Sequence, residues 1–119
     1  MKFVLAIALA LAGGSVAFAE EVAAAPGALL RGLDKVSGLT TDIELARGHS
    51  TTFGRLSVTL SDCRYPVGDP ASNAYAFLTI ADTASGASVF EGWMIASSPA
   101  LSALDDPRYD VWVLRCISS

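Results

Sequence analysis

The chain has 119 residues, 52% of them hydrophobic, and its eight basic residues are outnumbered by twelve acidic ones. A chain of this length is expected to form one domain, and its acidity disfavours binding to a phosphate backbone, so we expect no nucleic-acid partner. One histidine and two cysteines are too few for a zinc site of ordinary composition, and there is no glycine-rich phosphate loop or calcium loop. We therefore expect no metal and no cofactor.

Residues 1–19 have the layout of a secretory signal peptide. Lys2 provides the positive charge, an apolar run extends from Phe3 to Leu11, and a small-x-small cleavage site ends at Ala19. The run is shorter than the about 20 residues of a membrane-spanning helix, and the alternative is a buried N-terminal helix. Cleavage would remove Lys2 and leave a net charge of −5. We predict export to the periplasm, without stable membrane insertion after cleavage.

The rest of the chain is predicted to be a disordered lead-in over residues 20–27 and a single β domain over residues 28–119. Alternation of mostly apolar with polar residues over residues 39–45, and of apolar with polar residues over residues 56–61, predicts two half-buried strands. Residues 74–81 are apolar on both faces, which suits a central strand covered on both sides. About six short strands with tight turns indicate an all-β, mainly antiparallel fold, either a small barrel or a sandwich.

The two cysteines, Cys63 and Cys116, most simply form one disulfide in an exported chain, and the alternative is two free thiols. The alternation of the preceding strand places Cys63 on its polar face, together with Ser61. Either the strand ends near Ser61, or a β-bulge near Asp62 turns Cys63 inward. We favour the bulge over a disulfide at the surface.

A short helix is predicted just before the last strand. Ser98 suits the N-cap and Pro99 the first helical position, so one or two turns are expected over Pro99–Leu104, with Leu101 and Leu104 facing inward. Asp106 is expected to begin a type I turn.

The last strand is predicted to run from Tyr109 to Cys116. Its alternation places Trp112 on the same face as Leu114 and Cys116, which predicts that Trp112 belongs to the core. A core position is favoured for Trp93 too, although Trp93 is the better of the two candidates for partial exposure.

Two functions follow from the residues that surround this segment. The first is a non-enzymatic interaction surface formed by Trp93, Ser98, Asp105, Asp106 and Tyr109. The second is a small hydrolase of the cell wall or of polysaccharides, because a glycosidase cleft needs two carboxylates beside aromatic rings. Its candidate carboxylates are Glu91, Asp105, Asp106 and Asp110. No catalytic residue is assigned, because His49 is the sole histidine and no Gly-x-Ser-x-Gly motif is present.

A small charged cluster lies near the start of the domain, at Arg31, Asp34 and Lys35. We expect these side chains to form ion pairs with the segment over residues 105–110.

Several stretches together resemble a known family. They are residues 30–38 (Leu-Arg-Gly-Leu-Asp-Lys-Val-Ser-Gly), residues 53–58 with Cys63, residues 92–101 (Gly-Trp-Met-Ile-Ala-Ser-Ser-Pro-Ala-Leu), and residues 109–114 with Cys116. The chain is similar over nearly its whole mature length to periplasmic proteins of Gram-negative, alphaproteobacterial-type bacteria that are classified as a domain of unknown function, DUF 2155. The resemblance implies export to the periplasm and pairing of the two cysteines, and it implies no established activity.

The sequence thus predicts an exported β domain that binds a partner in the cell envelope, either a protein or a glycan, with the hydrolase as the alternative. A purely structural role is a third possibility.

Overall fold

The structure is a computed structural model that describes residues 21–117, so the predicted signal peptide lies outside the described residues. The described chain is almost entirely antiparallel β structure, as predicted. Its strands are β1 (Val22–Ala24), β2 (Gly27–Asp34), β3 (Thr40–Ala46), β4 (Ser50–Phe53), β5 (Leu56–Pro66), β6 (Tyr75–Asp82), β7 (Ser88–Ile95) and β8 (Tyr109–Ile117). A single turn of 3-10 helix over Pro99–Ser102 precedes the last strand, also as predicted.

The strands form two sheets. The five-stranded sheet has the order β1-β5-β6-β7, and β4 pairs with β5 as well; the three-stranded sheet has the order β3-β2-β8. The inner faces supply the core, in which Leu30, Leu60, Leu78, Ile80 and Val113 are at most 2% exposed. The chain passes from one sheet to the other between β1 and β2, between β3 and β4, and between β7 and β8. The fold is therefore a sandwich in which three connections join the sheets.

The predicted disordered lead-in is wrong for the described part of that segment. Val22–Ala24 forms β1, which pairs with the end of β5. Ala25 is buried, and its N–H donates to the carbonyl of Cys63 at 2.7 Å. Alanine has low strand propensity, so the strand depends on backbone pairing with β5, which local composition does not reveal.

The predicted bulge in β5 is present. Leu60 lies opposite Leu78 and Asp62 opposite Phe77, so Ser61 is the extra residue. The bulge reverses the alternation and turns Cys63 into the core, where it is fully buried. Cys63 and Cys116 form a disulfide that links β5 to β8, and hence one sheet to the other.

The prediction that Trp112 belongs to the core is wrong, because β8 contains a second bulge. Leu29 lies opposite Arg115 and Leu30 opposite Val113, which leaves Leu114 without a partner on β2. Because of this bulge, Trp112 and Cys116 point to opposite faces of the sheet. Val111 and Val113 face the core instead, and Trp112 lies half-buried on the outer face of the three-stranded sheet.

The helical turn is shorter than expected, and only one of its two leucines faces inward. Leu104 is 5% exposed, whereas Leu101 is 75% exposed. Pro99 begins the turn as predicted, but the Ser98 side chain makes no capping hydrogen bond. The turn ends at Ser102 and Ala103 is extended, so Leu104 lies beyond the helix and does not share a helical face with Leu101. No helix within residues 21–117 has the length and hydrophobicity to cross a membrane.

Candidate interaction surface

Of the five residues predicted to form an interaction surface, Trp93 lies apart from Asp106 and Tyr109, which contact each other. Trp93 lies on β7, on the outer face of the five-stranded sheet, and is 42% exposed. Tyr109 begins β8 at the other end of the sandwich, where its ring contacts Phe53 with 5.4 Å between centroids, and it is only 6% exposed. Trp93 and Tyr109 therefore do not line one concavity, and the Tyr109 side chain belongs to the core.

Ser98 and Asp105 lie in the connection between β7 and β8. Ser98 is half-buried, and its carbonyl accepts a hydrogen bond from the N–H of Leu101. Asp105 is exposed.

Asp106 precedes the bend that leads into β8, and its carboxylate binds backbone amides. One oxygen accepts the N–H of Arg108 at 2.9 Å and that of Tyr109 at 2.8 Å. Burial tends to raise the pKa of this carboxyl, but the two amide donors outweigh it and hold the pKa of Asp106 below its ordinary value. Its role is to stabilise the start of β8.

Asp110, the second residue of β8, also binds a backbone amide. Its carboxylate accepts the N–H of Val111 at 2.9 Å. The N–H of Lys35 donates to the carbonyl of Arg108, so these two residues form a hydrogen-bonded pair between β2 and β8. Because hydrogen-bonded and non-hydrogen-bonded pairs alternate along antiparallel strands, the N–H groups of Tyr109 and Val111 point away from β2. Asp106 and Asp110 therefore cover two N–H groups on the open edge of β8.

Two of the three residues in the charged cluster near the start of the domain, Asp34 and Lys35, pair with residues 105–110 as predicted. Asp34 makes a two-pronged ion pair with Arg108 at 3.0 and 3.3 Å, and Lys35 Nζ donates to the carbonyl of Asp106 at 2.8 Å. The hydrogen bonds from Arg108 lower the pKa of Asp34 to about 2. Arg31 pairs instead with Asp42 on β3. Such exposed pairs contribute little each, so their effect is to orient the turn.

Glu91 lies apart from the other three carboxylates of the hydrolase hypothesis. Glu91 projects from the outer face of the five-stranded sheet and Asp110 from that of the three-stranded sheet. Asp106 is occupied by backbone amides, and Asp105 lies in a loop. Residues 21–117 contain no group of three or more metal-binding side chains either. His49 lies in the turn between β3 and β4, where its backbone bonds Ala46 and Leu60.

The most distinctive surface is an apolar patch around Trp93, which we call the aromatic platform. It consists of Val22, Arg64, Tyr75, Phe77, Trp93 and Ile95. Five of these residues line a shallow depression of about 390 Å³, and Phe77 contacts the indole from the adjacent strand. Val67, also exposed, lies beside the platform, since its N–H donates to the carbonyl of Glu21.

Strand register produces this platform. Arg64, Tyr75 and Ile95 lie side by side across β5, β6 and β7, and Phe77 is directly opposite Trp93 in the next row. The Phe77 and Trp93 rings meet edge to face with 5.3 Å between centroids. The bulge at Ser61 is required as well, because it places Asp62 and Arg64 on the outer face.

Arg64 is the polar component of the platform. Its Nε donates to Asp62 at 2.8 Å, and its guanidinium lies 6.0 Å from the centre of the Trp93 ring. A guanidinium at this distance stabilises an aromatic ring by about 0.5–1 kcal/mol at an exposed site. The sequence reasoning identified Trp93 but missed Arg64, Tyr75 and Phe77. The apolar outer positions of β6 were the available signal, but they were interpreted as a covered central strand.

A second depression, of about 370 Å³, lies between the helical turn and Trp112. Its walls are the small side chains of Pro99, Ala100 and Ala103 together with Asp110 and Val111. Trp112 is less exposed than Trp93, so the aromatic platform is the stronger candidate for recognition.

The fold and surface define a small disulfide-linked β sandwich with an exposed aromatic face. The chain belongs to a bacterial family described as uncharacterized proteins conserved in bacteria, DUF2155, whose model matches residues 28–116. It is also similar to uncharacterized protein RP359 of Rickettsia prowazekii (strain Madrid E), with 26% identity over 87 residues. That match covers 71% of this chain and 56% of the relative, so the chain spans about half of the relative's length. No solved structure gives a significant match.

Proposed function

We propose that this domain is a non-enzymatic protein-interaction module of the bacterial cell envelope and that it binds its partner through the aromatic platform. The observation that carries the proposal is the exposure of Trp93 within a continuous apolar depression. Exposed apolar patches on small soluble domains mark interaction sites, and tryptophan, tyrosine and arginine are the residues most often critical for binding.

The chemistry of the platform favours a protein partner over a glycan. A sugar ring that stacks on Trp93 also needs several polar side chains around it to bond its hydroxyl groups. Here Val22 and Ile95 form aliphatic walls beside the aromatic rings, and Arg64 is the main polar group. Apolar side chains of a second protein fit such a surface better.

Location in the envelope is supported by two features of the sequence and structure. The first 19 residues have the charge, apolar run and cleavage site of an export signal. The Cys63–Cys116 disulfide suits an oxidising compartment such as the periplasm.

Trp93→Ala is expected to abolish capture of the partner. The immobilised domain should recover a protein from periplasmic extract, and the variant should lose most of it because a central tryptophan typically contributes about 2 kcal/mol or more to binding. Leu101→Ala is the matched control, since Leu101 is 75% exposed and lies outside the platform. Quantitative mass spectrometry of the three eluates measures the effect.

Equal recovery by the wild type and Trp93→Ala would contradict the proposal. Recovery of no protein above the level of a bare matrix would contradict it too. Unfolding midpoints of both variants close to that of the wild type would show that the domain remains folded.

A further inference from the structure

The edge of β7 has open backbone groups beside the aromatic platform. The N–H of Ala96 donates to the carbonyl of Ala74, which determines which residues of β7 form hydrogen bonds with β6. Because hydrogen-bonded and non-hydrogen-bonded pairs alternate along antiparallel strands, the N–H and C=O groups of Glu91, Trp93 and Ile95 point away from β6, toward the open edge. The carbonyl of Ile95 accepts the N–H of Ser98, and the N–H groups of Glu91 and Trp93 have no partner within residues 21–117.

The open edges of the three-stranded sheet differ from this one. On β8, the carboxylates of Asp106 and Asp110 cover two edge N–H groups. On β3, the edge-facing residues include Asp42 and Glu44, and charged side chains at an edge oppose pairing with another strand. The β7 edge thus combines open donors with two apolar side chains, Trp93 and Ile95, and has one charged residue, Glu91, where β3 has two.

We propose that β7 pairs antiparallel with β7 of a second copy, about a two-fold axis that passes beside Trp93. This dimer rests on the same surface as the proposed function and extends it. Trp93 would lie opposite Trp93 of the second copy, and Glu91 opposite Ile95. Identical edges are self-complementary in this arrangement, and both strands are already ordered, so pairing has a low entropic penalty.

The charges of the platform complement each other across this axis. Glu91 is exposed and makes no ion pair within residues 21–117. In the dimer, Glu91 of the second copy lies beside Ile95, in the row that contains Tyr75 and Arg64. The Arg64 guanidinium already extends toward β7, over the Trp93 ring. The dimer therefore brings Arg64 of each copy toward Glu91 of the other, and it places no like charges opposite each other in that row.

The dimer has a consequence for recognition. Antiparallel pairing at the edge makes one continuous sheet, so the outer faces of the two copies lie on the same side. The two aromatic platforms meet at the paired Trp93 residues, and a partner would contact both copies.

Sedimentation velocity of the purified, disulfide-bonded domain over a range of concentrations tests the dimer. We expect a dimer that dissociates on dilution, and we expect Glu91→Arg and Arg64→Glu each to raise its dissociation constant by about tenfold or more. The double variant Glu91→Arg Arg64→Glu should recover much of the wild-type affinity. Glu44→Arg on β3 is the control and should have no effect.

A proline variant tests strand pairing itself. Glu91→Pro removes an N–H that points to the open edge and spares the β6 ladder, so it should abolish the dimer without unfolding the domain. Asp42→Pro is the matched control at the open edge of β3 and should remain dimeric. If Arg64→Glu fails to fold, Glu91→Arg and Glu91→Pro still decide the question.

A wild-type domain that is monomeric at every concentration would overturn the dimer, as would a dimer unaffected by Glu91→Pro. If the domain is monomeric but Trp93→Ala still loses the envelope partner, the dimer fails and the proposed function stands. If the dimer forms but Trp93→Ala retains the partner, the proposed function fails.

Discussion

Replacing Cys63 with serine is expected to lower the free energy of unfolding by about 2–5 kcal/mol. The disulfide joins residues 53 positions apart, and closing a loop of that length restricts the unfolded chain by about 4 kcal/mol on the entropy model. It is also the covalent link between the two sheets, so its loss weakens the packing of β5 against β8. Domains of this size have a total stability of about 5–15 kcal/mol, and the loss is a large part of it.

Denaturant unfolding of the wild type and the variant measures this effect as a shift in midpoint at constant slope. The double variant Cys63→Ser Cys116→Ser controls for the free thiol that the single variant leaves, and it should lose a similar amount because both remove the same bond. An unchanged midpoint in both variants would rule out a stabilising disulfide.

Gly54→Ala is expected to destabilise the domain by about 2–4 kcal/mol, through two separate effects. Gly54 has a φ of +59°, which disfavours any residue with a Cβ. In addition, a Cβ at this position would lie 2.5 Å from the Tyr109 hydroxyl oxygen and 2.6 Å from the ring carbon Cε1. The Tyr109 ring is held by Phe53 and lies near Arg55 and Arg108, so it has little room to move.

Gly86→Ala is the matched control, because Gly86 has a φ of +74° but no atom within 4 Å of the added Cβ. It should carry only the backbone penalty of about 1–2 kcal/mol. The difference between the two unfolding free energies measures the contact with Tyr109. Equal losses in the two variants would show that the Tyr109 ring adapts without penalty.

Local patterns predicted those parts of the fold that depend on neighbours in sequence. The alternation of residues 56–61 revealed β5, and the conflict between its phase and Cys63 revealed the bulge at Ser61. Pro99 and Asp106 marked the helical turn and the turn into β8. The charged cluster was expected to pair with residues 105–110, and Asp34 and Lys35 do so, through the Arg108 side chain and the Asp106 carbonyl, whereas Arg31 pairs with Asp42.

Features that depend on distant strands were not predictable in this way. The bulge at Leu114 leaves no mark in the sequence, so Trp112 was placed on the wrong face. The alanines of β1 become a strand only because the edge of β5 is available. The aromatic platform requires Arg64, Tyr75 and Ile95 to lie side by side, and that depends on the order and register of three strands. Asp106 and Asp110 were considered for catalysis, whereas their carboxylates bind amides of β8.

The two tryptophans offer the most direct test of the central claim, because each reports on one outer face of the sandwich. Trp93 lies on the aromatic platform, and Trp112 lies on the three-stranded sheet. The measurement is the pair of indole N–H signals in an NMR titration of the domain with its captured partner. We predict that the Trp93 signal shifts or broadens while the Trp112 signal stays in place. A change confined to the Trp112 signal would contradict recognition through the platform.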